Sequence, residues 1–375
     1  MKIAFVHDYL VQSGGAEKVL ETFTEIWPHA PIYTLIHDPD AIQHRFDRKT
    51  VRTSFLQKIP FVKKHHHIFP PLMMLATEQF NLDYYDVVLS DSSSFAKNII
   101  TRPDTLHISY CHTPMRYAWD GWQHYVREYS FPTIIKTLTP FFMNYIRLWD
   151  WQATKGVDYF IANSQFVRRR IKKYYRRSAL VINPPVEVEK FSPVSPTEVE
   201  DYFLMVGRMI KYKKMDLVIK AFNRLKLPLK VVGQGVEYKR LRRLAGPTIE
   251  FIDRRVPEKE LARLYARSRA FLFPQEEDFG IVAIEALASG RPVIAYRAGD
   301  VEENIEEGKT GIFFEEQTEA EVMRAVKKCL RTDFDQEYIA RQAQRFSRER
   351  FKREIKDTVE KLWYNFKKET NSKQE

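Results

Sequence analysis

The sequence predicts an α/β protein built from two doubly wound, Rossmann-like domains, and three observations carry that reading. The chain has 375 residues, beyond the roughly 250 to 300 at which single hydrophobic cores stop growing. Strand-like apolar runs alternate with helix-period stretches, which implies mostly parallel sheets. A proline-rich connector, Pro184-Pro185 followed by Pro193 and Pro196, separates two rounds of that alternation.

The first round opens with a buried strand from Lys2 to Val6, a turn at Ser13-Gly14-Gly15 and a helix with apolar positions Val19, Leu20 and Phe23. Further strands are expected at 32–36, 86–90, 106–111, 158–162 and 180–183, with a helical stretch over 131–155. Asn163-Ser164 caps a helix whose stripe is Val167, Ile171 and Tyr174. From Tyr202 the pattern restarts, with strands at 202–207, 229–233, 249–252, 270–273 and 293–296 and helices from Asp216, after Gly235, over 258–267, from Gly280 and near 320–330. The expected organisation is 1–190, 200–350 and a terminal helix 351–368. Ile355, Val359, Leu362, Trp363 and Phe366 give that helix one wide apolar face that must pack on something, expected to be the N-terminal domain.

Hydrophobic residues at 44% and charged residues at 29% fit an ordinary soluble protein. No apolar run approaches the ~18 residues of a membrane span. The opening MKIAFVHDYL breaks at His7 and Asp8 and reads as a strand, not a signal peptide. Cys111 and Cys329 are too few and too far apart for a disulfide framework or zinc site, so a reducing cytoplasm is expected. The net charge of +11 is densest in Arg168–Arg177. That run is either a solvated helix face or a field for an anionic membrane surface or other polyanion. Its aromatics are limited to Tyr174 and Tyr175, one of them on the apolar stripe, which argues against nucleic acid. His65-His66-His67 has no carboxylate or cysteine at ligand spacing and is expected to be a basic surface loop; no metal site is expected.

The chemistry concentrates in Glu277-Asp278-Phe279-Gly280-Ile281 through Glu285, which follows a strand and opens a helix. Open α/β sheets bind ligands at such carboxyl ends. Free amides at Phe279, Gly280 and Ile281 would point at phosphate oxygens with the positive end of the helix dipole. Glu285, deeper along the helix, could reach a diol, and Glu277 lies nearer whatever the phosphates carry. Arg208 and Lys213 arise at the same edge and would neutralise a departing diphosphate without a metal. Paired carboxylates also suggest glycoside hydrolysis, but eight residues of helix would separate them by about 12 Å, beyond the usual spacing. Gly233-Gln234-Gly235 is a further glycine turn and a weak signal alone.

The ordered set Val206-Gly207-Arg208 to Lys213, then Glu277 and Glu285 in a Glu-x7-Glu arrangement, resembles the family 4 retaining glycosyltransferases of the GT-B fold, with two domains facing across a cleft. Gly14-Gly15-Ala16-Glu17-Lys18 and Cys111 to Asp120 resemble the mannosyltransferase-like branch of bacterial polysaccharide and O-antigen (lipopolysaccharide) assembly. The resemblance implies that Glu285 holds the nucleotide ribose, that Arg208 and Lys213 hold the pyrophosphate, and that Glu277 contacts donor-sugar hydroxyls with the amides of Phe279, Gly280 and Ile281. It implies that Gly15 approaches the diphosphate and that His112 lies at the reacting carbon, with a general-base role as the lesser option. Arg116, Tyr117 and Asp120 are acceptor-side candidates. One departure is Ala298-Gly299-Asp300, where relatives often carry paired glycines.

The implied donor is GDP-mannose, with a UDP-sugar as the alternative, and the implied acceptor is a glycan or lipid-linked glycan. No cofactor is expected. The expected location is cytoplasmic, with a peripheral position on the inner face of the cell membrane left open by the basic run. The rival from another class is a non-catalytic basic protein that binds membrane or polyanion through Arg168–Arg177.

Overall fold

The structure is a computed structural model that describes residues 1–46, 50–65, 70–120 and 133–372. It divides into two compact units, Met1–Pro185 with Phe351–Glu375, and Val186–Arg350.

Among the described residues, the first unit holds a seven-stranded parallel sheet. Its strands are β1 (Ile3–His7), β2 (Ile32–Thr34), β3 (Val51–Thr53), β4 (Val87–Ser92), β5 (Leu106–Cys111), β6 (Tyr159–Ala162) and β7 (Ala179–Val181). The order β3-β2-β1-β4-β5-β6-β7 reverses direction between β1 and β4, so loops at their carboxyl ends diverge and leave room for a ligand. Helix α1 (Gly15–Ile26) buries Val19, Leu20 and Phe23 on the sheet. Helices α2 (Pro70–Glu78), α3 (Thr133–Ala153) and α4 (Gln165–Tyr175) follow; the Ser164 hydroxyl caps α4 by accepting from the Val167 amide. The terminal helix α5 (Arg348–Asn371) places Phe351, Ile355, Val359 and Leu362 in the same core as Phe23 and Tyr110, which explains its apolar face.

The second unit carries β8 (Phe203–Val206), β9 (Leu229–Val232), β10 (Ile249–Ile252), β11 (Phe271–Phe273), β12 (Val293–Tyr296) and β13 (Gly311–Phe314), in the order β10-β9-β8-β11-β12-β13. This too is parallel, with its reversal between β8 and β11. Helices here include Met215–Leu225, Glu258–Arg267, Ile281–Ala288 and Glu319–Cys329. Val186 and Val188, read from sequence as connector, are buried in this unit's core beside Phe346.

The Gly233-Gln234-Gly235 turn has a packing reason. A Cβ at Gly233 would run into the Gly207 carbonyl, and one at Gly235 into the Met209 backbone. The loops after β8 and β9 therefore touch backbone to backbone. Gly235→Ala is expected to destabilise the protein by about 1 to 3 kcal/mol through this overpacking, read as a lower urea midpoint with an unchanged slope.

Candidate active site

In the second unit the sheet order itself assembles the charged groups. β8 and β11 are neighbours at the reversal point, so Arg208 after β8 and Glu277 after β11 leave the sheet side by side. Between them, the turn Lys211–Lys213 and Lys214 in the left-handed region (φ 52°) fold the chain back over the edge. The Lys213 ammonium donates to Oε1 of Glu277, and their side chains are 14% and 15% exposed. Burial alone would lower the Lys213 pKa, but the Glu277 charge outweighs it and the value is raised; the positive charge of Arg208 works in the opposite direction. Three of the four charged groups singled out by sequence thus share one edge, with Arg208 exposed. Such a set can seat an anion on two cations while the carboxylate accepts from hydroxyls.

Glu285 lies within the helix Ile281–Ala288, 6% exposed, and its Oε2 accepts from the Tyr265 hydroxyl at 3.0 Å. Burial and the adjacent Glu285 charge push the Tyr265 phenol well above its ordinary range. Tyr265 was not singled out from sequence; it comes from the preceding helix, twenty residues away, at a position that reads as plain core.

The expectation of free amides at the start of this helix needs correction at Gly280 and Ile281. The Gly280 N–H donates to Oδ2 of Asp300 at 2.9 Å, and the Ile281 N–H goes to the Phe279 carbonyl at 3.2 Å. A protein carboxylate takes the place sequence reasoning gave to phosphate. The cause is the loop 298–300, where the Asp300 N–H bonds the Glu277 carbonyl at 3.2 Å and Gly299 bridges Glu277. Asp300 is fully buried, also accepts from Asn304, and has its pKa raised to about 7, by burial first, against the Gly280 hydrogen bond and with Glu277, Glu303 and Asp278 adding repulsion.

The first unit has a second cluster at its own reversal point. Register pairs His7 of β1 with Asp91 of β4, and His112 follows β5. The Asp91 carboxylate meets His7 Nδ1 at 2.8 Å and His112 Nε2 at 2.6 Å. Burial raises the Asp91 pKa, but both imidazoles outweigh it and the result is lowered. Burial would keep His7 neutral, yet Asp91 and Glu17 raise its pKa to about 10. Glu17 lies 3.9 Å from His7 Nε2 and also accepts from the Gly14 N–H at 2.7 Å, tying the Gly14-Gly15 turn to the network. Beside it Asp8 takes the N–H groups of Ser93, Ser94, Phe95 and Ala96 at 2.6 to 2.9 Å, fixing the loop after β4. Sequence reasoning assigns roles to His112 and Gly15 but none to Asp91, Asp8 or Glu17, although Glu17 stands in the quoted Gly14-Gly15-Ala16-Glu17-Lys18 motif.

With Asp91 ionised, His112 Nε2–H is the donor and Nδ1 of a neutral ring is an acceptor. His112, 12% exposed, is thereby oriented to take a hydroxyl proton or hydrogen bond. Asp120 is held by Arg170 at 2.6 Å, and Arg170 also donates to the Thr113 hydroxyl. Arg116 and Tyr117 are half-buried. Among the described residues no group of histidine, cysteine and carboxylate side chains could hold a metal; His66 and His67 lie outside those residues.

Residues 186–346 match the family described as Glycosyl transferases group 1. Among curated relatives, the chain is 26% identical over 254 residues to a D-inositol 3-phosphate glycosyltransferase of Corynebacterium urealyticum, covering 58% of this chain and 59% of that protein. It is 29% identical over 177 residues to a GDP-mannose-dependent alpha-(1-6)-phosphatidylinositol monomannoside mannosyltransferase of Mycolicibacterium smegmatis, covering 40% and 46%. The chain spans about half the length of the curated relatives it matches. Among solved structures it is similar to Anabaena HepE in complex with UDP, at TM-score 0.70 and 17% identity over 96% of this chain and 100% of that one. It is also similar to the sucrose-phosphate synthase of Thermosynechococcus elongatus, at TM-score 0.72 and 17% identity over 97% and 99%. These likenesses show the fold, two parallel-sheet Rossmann-like units of the GT-B type.

Proposed function

We propose, from the match of residues 186–346 to the family described as Glycosyl transferases group 1, that the protein is a retaining, metal-independent hexosyltransferase. It moves mannose from GDP-mannose to a glycan or lipid-linked acceptor in cell-surface polysaccharide synthesis, at the cytoplasmic side of the membrane. The observation that carries the reading is the Lys213–Glu277 pair beside Arg208 at the β8/β11 reversal. Two cations there suit a departing diphosphate, supplying charge where it develops, and Glu277 suits sugar hydroxyls. Gly15 is assigned to the diphosphate's approach and His112 to the sugar ring, with Arg116 and Tyr117 toward the acceptor. The preference for mannose is supported by the likeness to the GDP-mannose-dependent mannosyltransferase of Mycolicibacterium smegmatis, and the UDP alternative by the UDP-bound HepE.

A thermal-shift panel of nucleotide sugars tests this. The matching donor at ~100 times its dissociation constant adds about 2.7 kcal/mol of stability, and GDP-mannose is expected to give the largest rise. Transfer is expected to survive excess chelator, since the cations of the chain neutralise the leaving group. Activity lost to chelator and restored by manganese would defeat the metal-independent reading.

For the ribose assignment, Glu285→Ala is expected to weaken nucleoside diphosphate binding about tenfold or more, a charge-assisted contact of roughly 1.5 to 3 kcal/mol. Tyr265→Phe is expected to weaken it less, about fivefold, because the carboxylate stays but is no longer aimed. Titration with GDP and its 2′-deoxy analogue checks both. An Ala variant that loses equally for the two nucleotides would remove the ribose from this site.

A further inference from the structure

Two adjoining helices of the first unit present unusual surfaces. On α3 the exposed positions between Pro140 and Gln152 are Pro140, Phe141, Phe142, Asn144, Tyr145, Leu148, Trp151 and Gln152, without a charge among them. Phe141 is 77% exposed, Tyr145 57% and Leu148 60%, and their spacing of four and three residues sets them along one side of the helix. On α4 the exposed positions are Arg168, Arg169, Lys172 and Lys173, all cations, and none forms an ion pair among the described residues. The helices are bound together. Tyr175 donates to the buried Asp150 of α3 at 2.8 Å, and Arg177 donates to the carbonyls of Thr154 and Val157 just beyond α3.

The apolar side continues into a polar socket. Glu78, Ile99, Ile100, Trp149, Gln152 and Lys155 line a cavity of about 370 Å³ at the end of α3, where the Trp149 indole N–H donates to Oε1 of Glu78 at 3.0 Å. Asn98 also lines it, 3% exposed, and neither atom of its side-chain amide has a hydrogen-bond partner. Lys155 lays its ammonium over the face of the Trp151 ring at 4.5 Å, a cation–π contact.

We infer that this part of the first unit is a docking face for an anionic lipid surface. The α3 side chains enter the headgroup and acyl boundary, and the α4 cations lie against the phosphates. Lipid fits better than a protein partner because the two helices divide the work as an interface does: the exposed positions of α3 between Pro140 and Gln152 carry no charge, and those of α4 carry cations alone. No described helix is long and apolar enough to cross a membrane, so the contact is a lateral one. The inference stands whether or not the protein transfers a sugar.

The experiment is flotation of the full chain with vesicles of phosphatidylcholine alone, or with about a third phosphatidylglycerol. The protein is expected to float only with the anionic vesicles. Arg168→Glu with Lys172→Glu is expected to cut the bound fraction at least about tenfold. Phe141→Ser, Tyr145→Ser and Leu148→Ser together are expected to leave only binding that high salt abolishes, whereas the unaltered protein retains part of its binding. All five positions are exposed, and circular dichroism verifies that each variant is folded; Tyr145→Ser alone serves if the triple variant is not. Equal flotation of the serine variant, failure of the unaltered protein to bind anionic vesicles, or a dimer in light scattering that the serine variant turns into monomer would each overturn the inference.

Discussion

Asp91→Asn is expected to lower stability by about 3 to 5 kcal/mol near pH 6.5, the usual cost of leaving a buried charge without its partner. Asp91 is wholly buried and serves His7 and His112 at once. The pH dependence separates this from a general packing defect. His7 has its pKa raised from 6.5 to about 10 in the folded protein. The stability it contributes is therefore fully present below about 6.5 and is lost as pH rises through about 10. The gap between the unaltered protein and Asp91→Asn should be widest near pH 6.5 and narrow toward pH 10, as urea midpoints across that range would reveal. A gap that stays constant would mean that His7 does not titrate against Asp91. Asp91 itself has a lowered pKa, so its own contribution disappears instead as acid protonates it. Sugar transfer is expected to fall at least about a hundredfold in the same variant, because the carboxylate fixes which His112 nitrogen carries the proton.

The contrast between what sequence shows and what it conceals follows from the range of each interaction. Loops that leave a strand and open a helix, such as Glu277 to Glu285, are contiguous in sequence, and their residue types carry the signal. Strand order then brought Arg208 and Lys213 beside Glu277, as parallel alternation implies. Asp91 gave no such signal, since its partners lie 84 and 21 residues away and become neighbours only through the β1–β4–β5 register. Asp8 is equally silent, with four amide donors some 85 to 88 residues on. Strand Val51–Thr53 holds a single apolar residue and Gly311–Phe314 opens on a glycine, so neither stands out in the sequence as an apolar run. Asp300 shows the converse case. Its departure from paired glycines was visible, but that its carboxylate turns back to cap Gly280 depends on a loop closing against Glu277.

Lys213→Met and Glu277→Gln are expected to damage the same reaction in opposite ways. Removing the ammonium takes away a charge that stabilises developing negative charge on the departing phosphate. The loss in kcat is expected to be about 10² to 10³, the scale of one preorganised charge-stabilising donor. It also leaves Glu277, 15% exposed, without its cation and nearer the incoming phosphates, so nucleoside diphosphate affinity should fall as well. In Glu277→Gln the repulsion toward phosphate is gone while Lys213 and Arg208 remain. Nucleoside diphosphate binding should therefore hold or tighten, whereas turnover with the complete nucleotide sugar falls, because hydroxyl contacts made by the carboxylate are weakened. Calorimetric titration of GDP and steady-state kinetics on both variants and on the double variant complete a cycle, and groups in direct contact should deviate from additivity by roughly 0.5 to 3 kcal/mol. Additive losses, or nucleotide affinity that falls equally in both single variants, would mean that the pair is a strut of the loop and not a clamp on the diphosphate.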